Sequence, residues 1–224
     1  MNDIHLSSTE KVYQELHHRL RHSYYAYGEW IRESHVAQEL EVSRTATREA
    51  MYRLLGEGAL TRNASSGAFL VPVPTQKTLQ EIQQLREILE TSALQLAATT
   101  LTKTNIKTLR SIARQYARFT KKGYFLGAAE ADLRFHETLI TLSRNSRLVH
   151  AYQQAHIFLF LRMANGQPIN DFEQAHAEHL AIIDALACGN IPLAIETLRK
   201  QLRRGAELAT QSPAHLSQTP RKRS

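Results

Sequence analysis

The stretch GEWIRESHVAQELEVSRTATREAMYRLLGEGALTRNASSGAFLVPVPT, residues 28–75, changes its pattern several times in quick succession, and those changes decide the fold. Gly28 breaks the chain ahead of a short helical pattern over Glu33 to Leu40. Ser43 is a helix N-cap by residue type, because its hydroxyl can accept from an amide of the first turn. The pattern after it, Arg44 to Leu55, turns Ala50, Met51, Leu54 and Leu55 inward and leaves Arg44, Thr45 and Arg48 outward. Beyond Gly58, the runs Ala59 to Arg62 and Ala68 to Val71 read as short strands, separated by Asn63, Ala64, Ser65, Ser66 and Gly67, which have turn chemistry. Upstream, Lys11 to Ser23 sets Val12, Leu16 and Leu20 on one face of a further helix. Helix, helix, tight turn, helix and hairpin is the order of a winged helix-turn-helix, which places the N-terminal end of its last helix in the major groove of DNA.

The residues at that end have suitable chemistry. Arginine bonds bidentately to guanine O6 and N7 or to a phosphate, and a helix N-terminus adds backbone donors facing an anion. Ser43, Arg44, Thr45 and Arg48 are therefore the candidate DNA contacts. Their spacing alone equally describes a solvated helix face that happens to carry two arginines. Charge does not separate the two readings. The net charge of the chain is +7, yet residues 1–74 carry 8 basic and 9 acidic groups, whereas residues 199–224 carry 7 and 1. Any attraction of this segment to DNA must come from a local arrangement of arginines.

Pro72, Val73, Pro74 and Thr75 interrupt regular structure and mark a linker. Everything after it has helical spacing. Leu79, Ile82, Leu85, Leu89 and Leu96 define one helix, and Asn105 to Lys122, Phe125 to Leu142, Leu148 to Met163, Phe172 to Ala187 and Pro192 to Ala209 define five more. Such lengths predict an antiparallel bundle. The expected fold is thus mainly α, with a winged helix-turn-helix over 1–74, an all-helical domain over 75–210 and a disordered basic tail over 211–224.

With 224 residues and 42% apolar content, the chain has enough material for packed cores. Its one cysteine, Cys188, cannot form an internal disulfide, which points to a reducing interior. The first ten residues lack the pattern of a signal peptide and the longest apolar run, Ile157 to Leu161, is far short of a membrane span, so a cytoplasmic protein without membrane contact is expected.

Within the helical part, Asp132 and His136 lie four apart, so both side chains leave one face of a helix a single turn from each other. That spacing suits two ligands of one metal, and His179 on a later helix could complete a carboxylate and two imidazoles, a set for zinc, nickel, manganese or iron. Hydrogen-bonded helix residues are the alternative account. His176, one turn before His179, is a substitute ligand or an exposed residue. Arg86 and Arg162 sit in otherwise apolar helical stretches and are candidates to pair with the carboxylate of a small-molecule effector, or else to form salt bridges within the bundle. Lys103, Lys107, Arg110, Arg114, Arg118 and Lys122 recur at helical spacing opposite Ile106, Leu109, Ala113 and Tyr116, as a solvated face or as a second DNA-facing surface.

The segments VYQELHHRL, VSRTATREAM and GAFLV, within residues 12–71, resemble the DNA-binding domain of the GntR family of transcription regulators. The resemblance implies that Arg44, Thr45 and Arg48 contact DNA, that Gly67 lets the wing tip approach the minor groove, and that a homodimer binds a palindromic operator. Three positions depart from the family pattern. Glu41 stands where glycine is usual in the turn, Ser34 stands where arginine is common, and Ala46 replaces a common proline. A non-glycine residue at positive φ costs on the order of 1 kcal/mol, so an altered or strained turn is expected. Arg32 is the candidate to replace the missing arginine as a backbone contact.

Residues 79–209, through LREILE, ADLRFHETL, EHLAIIDAL and GNIPLAIETL, resemble the FCD subgroup, whose helical domain senses metabolites. That subgroup usually places a further histidine 22 residues after the second, and here the position is Gln201. An amide oxygen is the poorer ligand, which implies weaker metal binding or a site completed by water or effector. The resulting expectation is a ligand-responsive repressor rather than an enzyme. Its rivals are a constitutive dimeric DNA-binding protein with a degraded sensor, and a metal-dependent enzyme using the same triad.

Overall fold

A computed structural model describes residues 6–22, 24–155 and 169–211. It divides into two compact units, one ending at Val73 and one beginning at Pro74. Arg162, the second half of the helix expected over Leu148 to Met163, and the tail beyond residue 211 lie outside the described residues. Among those described, no helix is long and apolar enough to cross a membrane.

The first unit is built from helices α1 (Ser8–Arg21), α2 (Glu33–Glu39) and α3 (Arg44–Gly56) with strands β1 (Trp30–Ile31), β2 (Thr61–Arg62) and β3 (Phe69–Leu70). Helix α1 starts three residues before its apolar pattern because Ser7 caps it, accepting from the Glu10 amide at 3.1 Å. Val12, Leu16 and Leu20 are fully buried and pack α1 against α3. On α3 the buried residues are Ala46, Thr47, Ala50, Met51 and Leu54, while Leu55 is only half-buried, a correction of the inward face by one position. Thr47 tolerates burial because its hydroxyl donates to the Ser43 carbonyl one turn back.

The expected hairpin is a three-stranded antiparallel sheet in the order β1-β3-β2. Trp30 faces Leu70 and Ile31 faces Phe69 on one side, with Thr61 and Arg62 opposite the same pair on the other. A two-residue strand carries no period, which is why β1 left no trace in the sequence pattern. Its place is set by Ile31, buried against the core, and by Gly28 and Glu29, whose backbones exchange hydrogen bonds with Val71.

The second unit holds α4 (Gln76–Ala97), α5 (Lys103–Lys121), α6 (Phe125–Leu142), α7 (Ser146–Gln154), α8 (Ile169–Ala187) and α9 (Ile191–Gln211). Capping sets several starts: Thr75 caps α4, and Thr102 with Asn105 forms a capping box that begins α5 two residues before the expected position. Asn190 caps α9, so Pro192 falls in its first turn, where a missing N–H costs nothing. Helices α4, α5, α6, α8 and α9 enclose a core of Leu94, Leu109, Phe135, Leu139, Ile182 and Leu198, and α7 lies against α4 and α6.

Candidate nucleic-acid interface and metal centre

In the first unit, Ser43 Oγ accepts from the Ala46 amide at 3.1 Å and so starts α3 where the outward residues begin. Ser43, Arg44, Thr45 and Arg48 are all exposed, and neither Arg44 nor Thr45 has a hydrogen-bonding or ionic partner among the described residues. Arg48 is held differently. Its Nε and Nη2 both lie 3.0 Å from Glu33 Oε2 at the start of α2, which aims the guanidinium while its side chain keeps 62% of its exposure. An exposed ion pair of this kind contributes at most about 1 kcal/mol, so a phosphate or a base edge can displace it. Arg32 is the exposed N-cap residue of α2 and makes no side-chain cap hydrogen bond.

The turn between α2 and α3 passes through Glu41 at φ 52°, the left-handed region expected at that position and unfavourable for a side chain. In the wing, Asn63 Oδ1 accepts from the amides of Ser65 and Ser66 at 3.0 and 2.9 Å, which closes the loop. Gly67 follows at φ 67°, and a Cβ there would meet Arg62 Nη2 at 3.1 Å. Arg62 was not singled out in the sequence. Its Nε donates to the Gly67 carbonyl at 2.8 Å, and its guanidinium lies over the rings of Tyr52 and Phe69, which places a cation at the wing.

In the second unit, α4, α6, α7 and α8 converge on a polar centre. Asp132 and His136 on α6 and His179 on α8 bring one ligand atom each to within 4.8 Å of one another. His179 Nε2 stands 3.1 Å from Asp132 Oδ1, and His136 Nε2 stands 3.9 Å from Asp132 Oδ2. Both imidazoles are buried and Asp132 is partly exposed. The ring of His179 lies between Phe135, 4.1 Å away, and Tyr116, 5.1 Å away edge-on, which fixes its plane.

Behind this triad lies a group of residues that sequence reasoning missed. Glu90 on α4 is fully buried and takes three contacts: Arg86 Nε at 2.9 Å and the Tyr152 hydroxyl at 3.2 Å on Oε1, and His136 Nδ1 at 2.6 Å on Oε2. Burial alone would raise its carboxyl, but the charges of Arg86 and His136 and their hydrogen bonds push it down to about 2. An ionised Glu90 can only accept, so His136 donates from Nδ1, and Nε2 is the ring nitrogen left facing Asp132. A carboxylate behind a histidine is the arrangement that fixes the tautomer of a metal ligand. The one local signal for Glu90 was its place four residues after Arg86, the spacing of an ion pair along a helix.

The donor set fits a divalent cation. Burial draws the His179 imidazole below its ordinary range despite the nearby Asp132 carboxylate. For Asp132, burial acts upward, yet contact with His179 and the charges of His136, His179 and Arg86 hold it well below the carboxylate range. Neither ring nitrogen of His179 has a hydrogen-bond partner among the described residues, since its approach to Asp132 is close but not aligned for one. Buried polar atoms left this way are uncommon, and a cation would satisfy the nitrogen that faces Asp132. Two atoms each about 2.1 Å from one ion can be at most about 4.2 Å apart, so a bound ion would draw together any pair standing wider than that.

Arg86 forms a salt bridge within the bundle. Its Nε pairs with Glu90, while its Nη2 is buried without a partner among the described residues. Among the described residues, Gln83 Nε2, one turn earlier on α4, is likewise buried and unpartnered. Gln201 on α9 is buried, with no partner for its Oε1 among them. His176 is half-buried and stacks on Tyr116, and its Nδ1 has no partner among them, so it is neither a member of the triad nor simply exposed.

Residues 8–70 match the family described as bacterial regulatory proteins, gntR family, and residues 81–204 match the FCD domain. The Nta operon transcriptional regulator of Aminobacter aminovorans is 35% identical over 162 residues, covering 71% of this chain and 74% of that protein. The HTH-type transcriptional regulator McbR of Escherichia coli strain K12 is 32% identical over 119 residues, 53% of each chain. The solved structure of E. coli McbR/YncC superposes with a TM-score of 0.82 at 22% identity, over 92% of this chain and 98% of that one, a likeness of fold. A capped reading helix with a wing, followed by a helical bundle of matching family, leaves one conclusion: the chain belongs to the GntR family of bacterial transcription regulators, and its second unit is an FCD domain.

Proposed function

We propose that this regulator is a repressor which reads a palindromic operator as a homodimer and releases it when a small carboxylate binds in the FCD domain beside a divalent cation. The observation that carries the DNA half is the exposed, capped start of α3, where Arg44 and Thr45 have no competing partner among the described residues and Arg48 is aimed by Glu33. Arg44 and Arg48 read base edges or phosphates in the major groove, Thr45 contacts the neighbouring backbone or base, and the α3 N-terminus adds its own donors, with the Ser43 hydroxyl holding the first turn. Arg32 grips the phosphate backbone, and Gly67 allows the wing tip its close approach. Occupancy of a promoter by two such heads blocks transcription without any further contact.

The sensory half rests on the convergence of Asp132, His136 and His179 and on the unpaired donors behind them. Those three residues would hold zinc, nickel, manganese or iron, with Gln201 as the weaker group where the subgroup has a histidine. The cation supplies positive charge to hold an effector carboxylate. Arg86 offers Nη2 to the same carboxylate, since Glu90 engages only its Nε. The Glu90 contact keeps His136 in the ligating tautomer throughout.

Linkage tests the switch. An effector that lowers operator affinity must itself bind more weakly to the operator complex, by the same factor. Genomic fragments retained by the full chain identify the operator, and effector is then titrated with and without it. Equal effector affinities in the two titrations defeat the switch, and a chain that retains no fragment over random competitor defeats the DNA reading.

A further inference from the structure

Helix α5 has an unusual charge pattern. Residues 103–122 carry seven basic groups and no acidic one, a surplus equal to the +7 of the whole chain. At 100° per residue, Lys103, Lys107, Arg110, Arg114, Arg118 and Lys121 fall within an arc of roughly 80°, on a ridge about 27 Å long. All six are exposed, and Leu109, Ile112, Ala113 and Tyr116 bury the opposite face. The ridge therefore points to solvent along its whole length.

A solvated helix face normally balances its charges, and α9 of the same bundle does so. There Arg199 and Arg203 pair with Glu87, Arg204 with Glu178 and Lys200 with Glu196. On α5, Arg110 pairs with Asp184 at 2.9 Å and Arg118 lies over the Phe119 ring, while Lys103, Lys107, Arg114 and Lys121 have no partner among the described residues. Like charges three and four residues apart on a helix repel, so this stripe is unfavourable unless something anionic meets it.

The reading head supplies the other half of the argument. With 8 basic and 9 acidic groups in residues 1–74, it has no net attraction for a polyanion, although non-specific DNA affinity comes from phosphate neutralisation. From the charge complementarity, we infer that the α5 ridge is a second, sequence-independent contact surface for the phosphates of duplex DNA. It supplies the electrostatic affinity that the head lacks. The inference rests on DNA reading by the head, which places duplex at high local concentration around the bundle. Each phosphate contact made by the ridge adds about 0.9 to the slope of log affinity against log salt.

The test uses the full chain with Lys107→Gln, Arg114→Gln, Arg118→Gln and Lys121→Gln together, since glutamine keeps the helix propensity. Affinity for operator and for non-cognate duplex is measured between 50 and 200 mM salt. Loss of four phosphate contacts lowers the slope by about 3.6, so wild type should lose on the order of 100-fold more affinity across this range than the variant. Lys107→Arg with Lys121→Arg should keep the wild-type slope, which separates charge from any effect on folding. An unchanged slope in the glutamine variant, with operator preference intact, overturns the ridge and leaves the head reading standing. If wild type shows no operator preference, the head reading falls and the ridge is still decided by its slope on non-cognate duplex. Loss of binding to phosphatidylserine vesicles with an unchanged duplex slope also overturns it, in favour of a lipid surface.

Discussion

Substituting Glu90→Gln tests the metal centre through a residue that is not itself a ligand. An amide keeps one acceptor oxygen, and two donors already claim it: Arg86 Nε at 2.9 Å and the Tyr152 hydroxyl at 3.2 Å, both on Oε1. The amide nitrogen must then face His136 Nδ1, which stands 2.6 Å from the Oε2 it replaces. Since that nitrogen donates, Nδ1 has to accept, and the imidazole proton moves to Nε2, the atom turned toward Asp132. A ligand nitrogen that carries a proton cannot bind a cation. Losing such a supporting partner weakens metal binding by about 10–100-fold, or roughly 1.4–2.7 kcal/mol. The fold should also lose stability without metal, because Arg86 is left buried without its ion-pair partner, up to the roughly 3–5 kcal/mol of a broken buried pair. Calorimetric titration of zinc or nickel into chelator-treated protein measures the first effect, and thermal unfolding measures the second. Tyr152→Phe removes one donor from Oε1 but leaves the His136 contact, so it should change metal affinity little. If Glu90→Gln binds either ion as tightly as wild type while remaining folded, the tautomer argument is wrong.

Further expectations follow from the same geometry. Burial opposes ionisation of Glu90, yet Arg86 and His136 bring its carboxyl down to about 2 from an ordinary 4.5. The stability it contributes is therefore full above about pH 4.5 and lost as pH falls toward 2, and Glu90→Gln should flatten the urea midpoint across that window. Glu41→Gly relieves a side chain held at φ 52° and should stabilise the first unit by on the order of 1 kcal/mol, read from the denaturation of Trp30, the single tryptophan of the chain. Destabilisation there would show that Glu41 earns its place by a contact. Arg48→Ala should cost about 1–3 kcal/mol on operator and relax preference at one base pair, whereas Arg32→Ala should weaken operator and random duplex alike. Competition binding with mismatched operators distinguishes the two patterns.

What could be read from the chain alone was what repeats or terminates over a few residues. The Ser43 cap with the outward Arg44, Thr45 and Arg48 was legible because N-caps and the 3.6-residue period are local properties. The helices of the bundle were legible for the same reason, and the starts of α1 and α5 moved by three and two residues where Ser7 and Thr102 cap them. Strand β1 was not legible, since two residues held by pairing with Leu70 and Phe69 carry no pattern of their own.

The amino-acid sequence by itself determined the order of the helices and of the wing strands, the main apolar face of each helix, and the placing of Asp132 beside His136 one turn apart. Only tertiary packing decided that His179 meets them from α8, that Glu90 and Tyr152 stand behind His136, and that Glu33 aims Arg48. The reason is range. Helical period, caps and turn chemistry act over four or five residues of one chain, whereas these partners come from segments 15 to 62 residues apart, and are brought together by apolar faces that have no preference for any one of them.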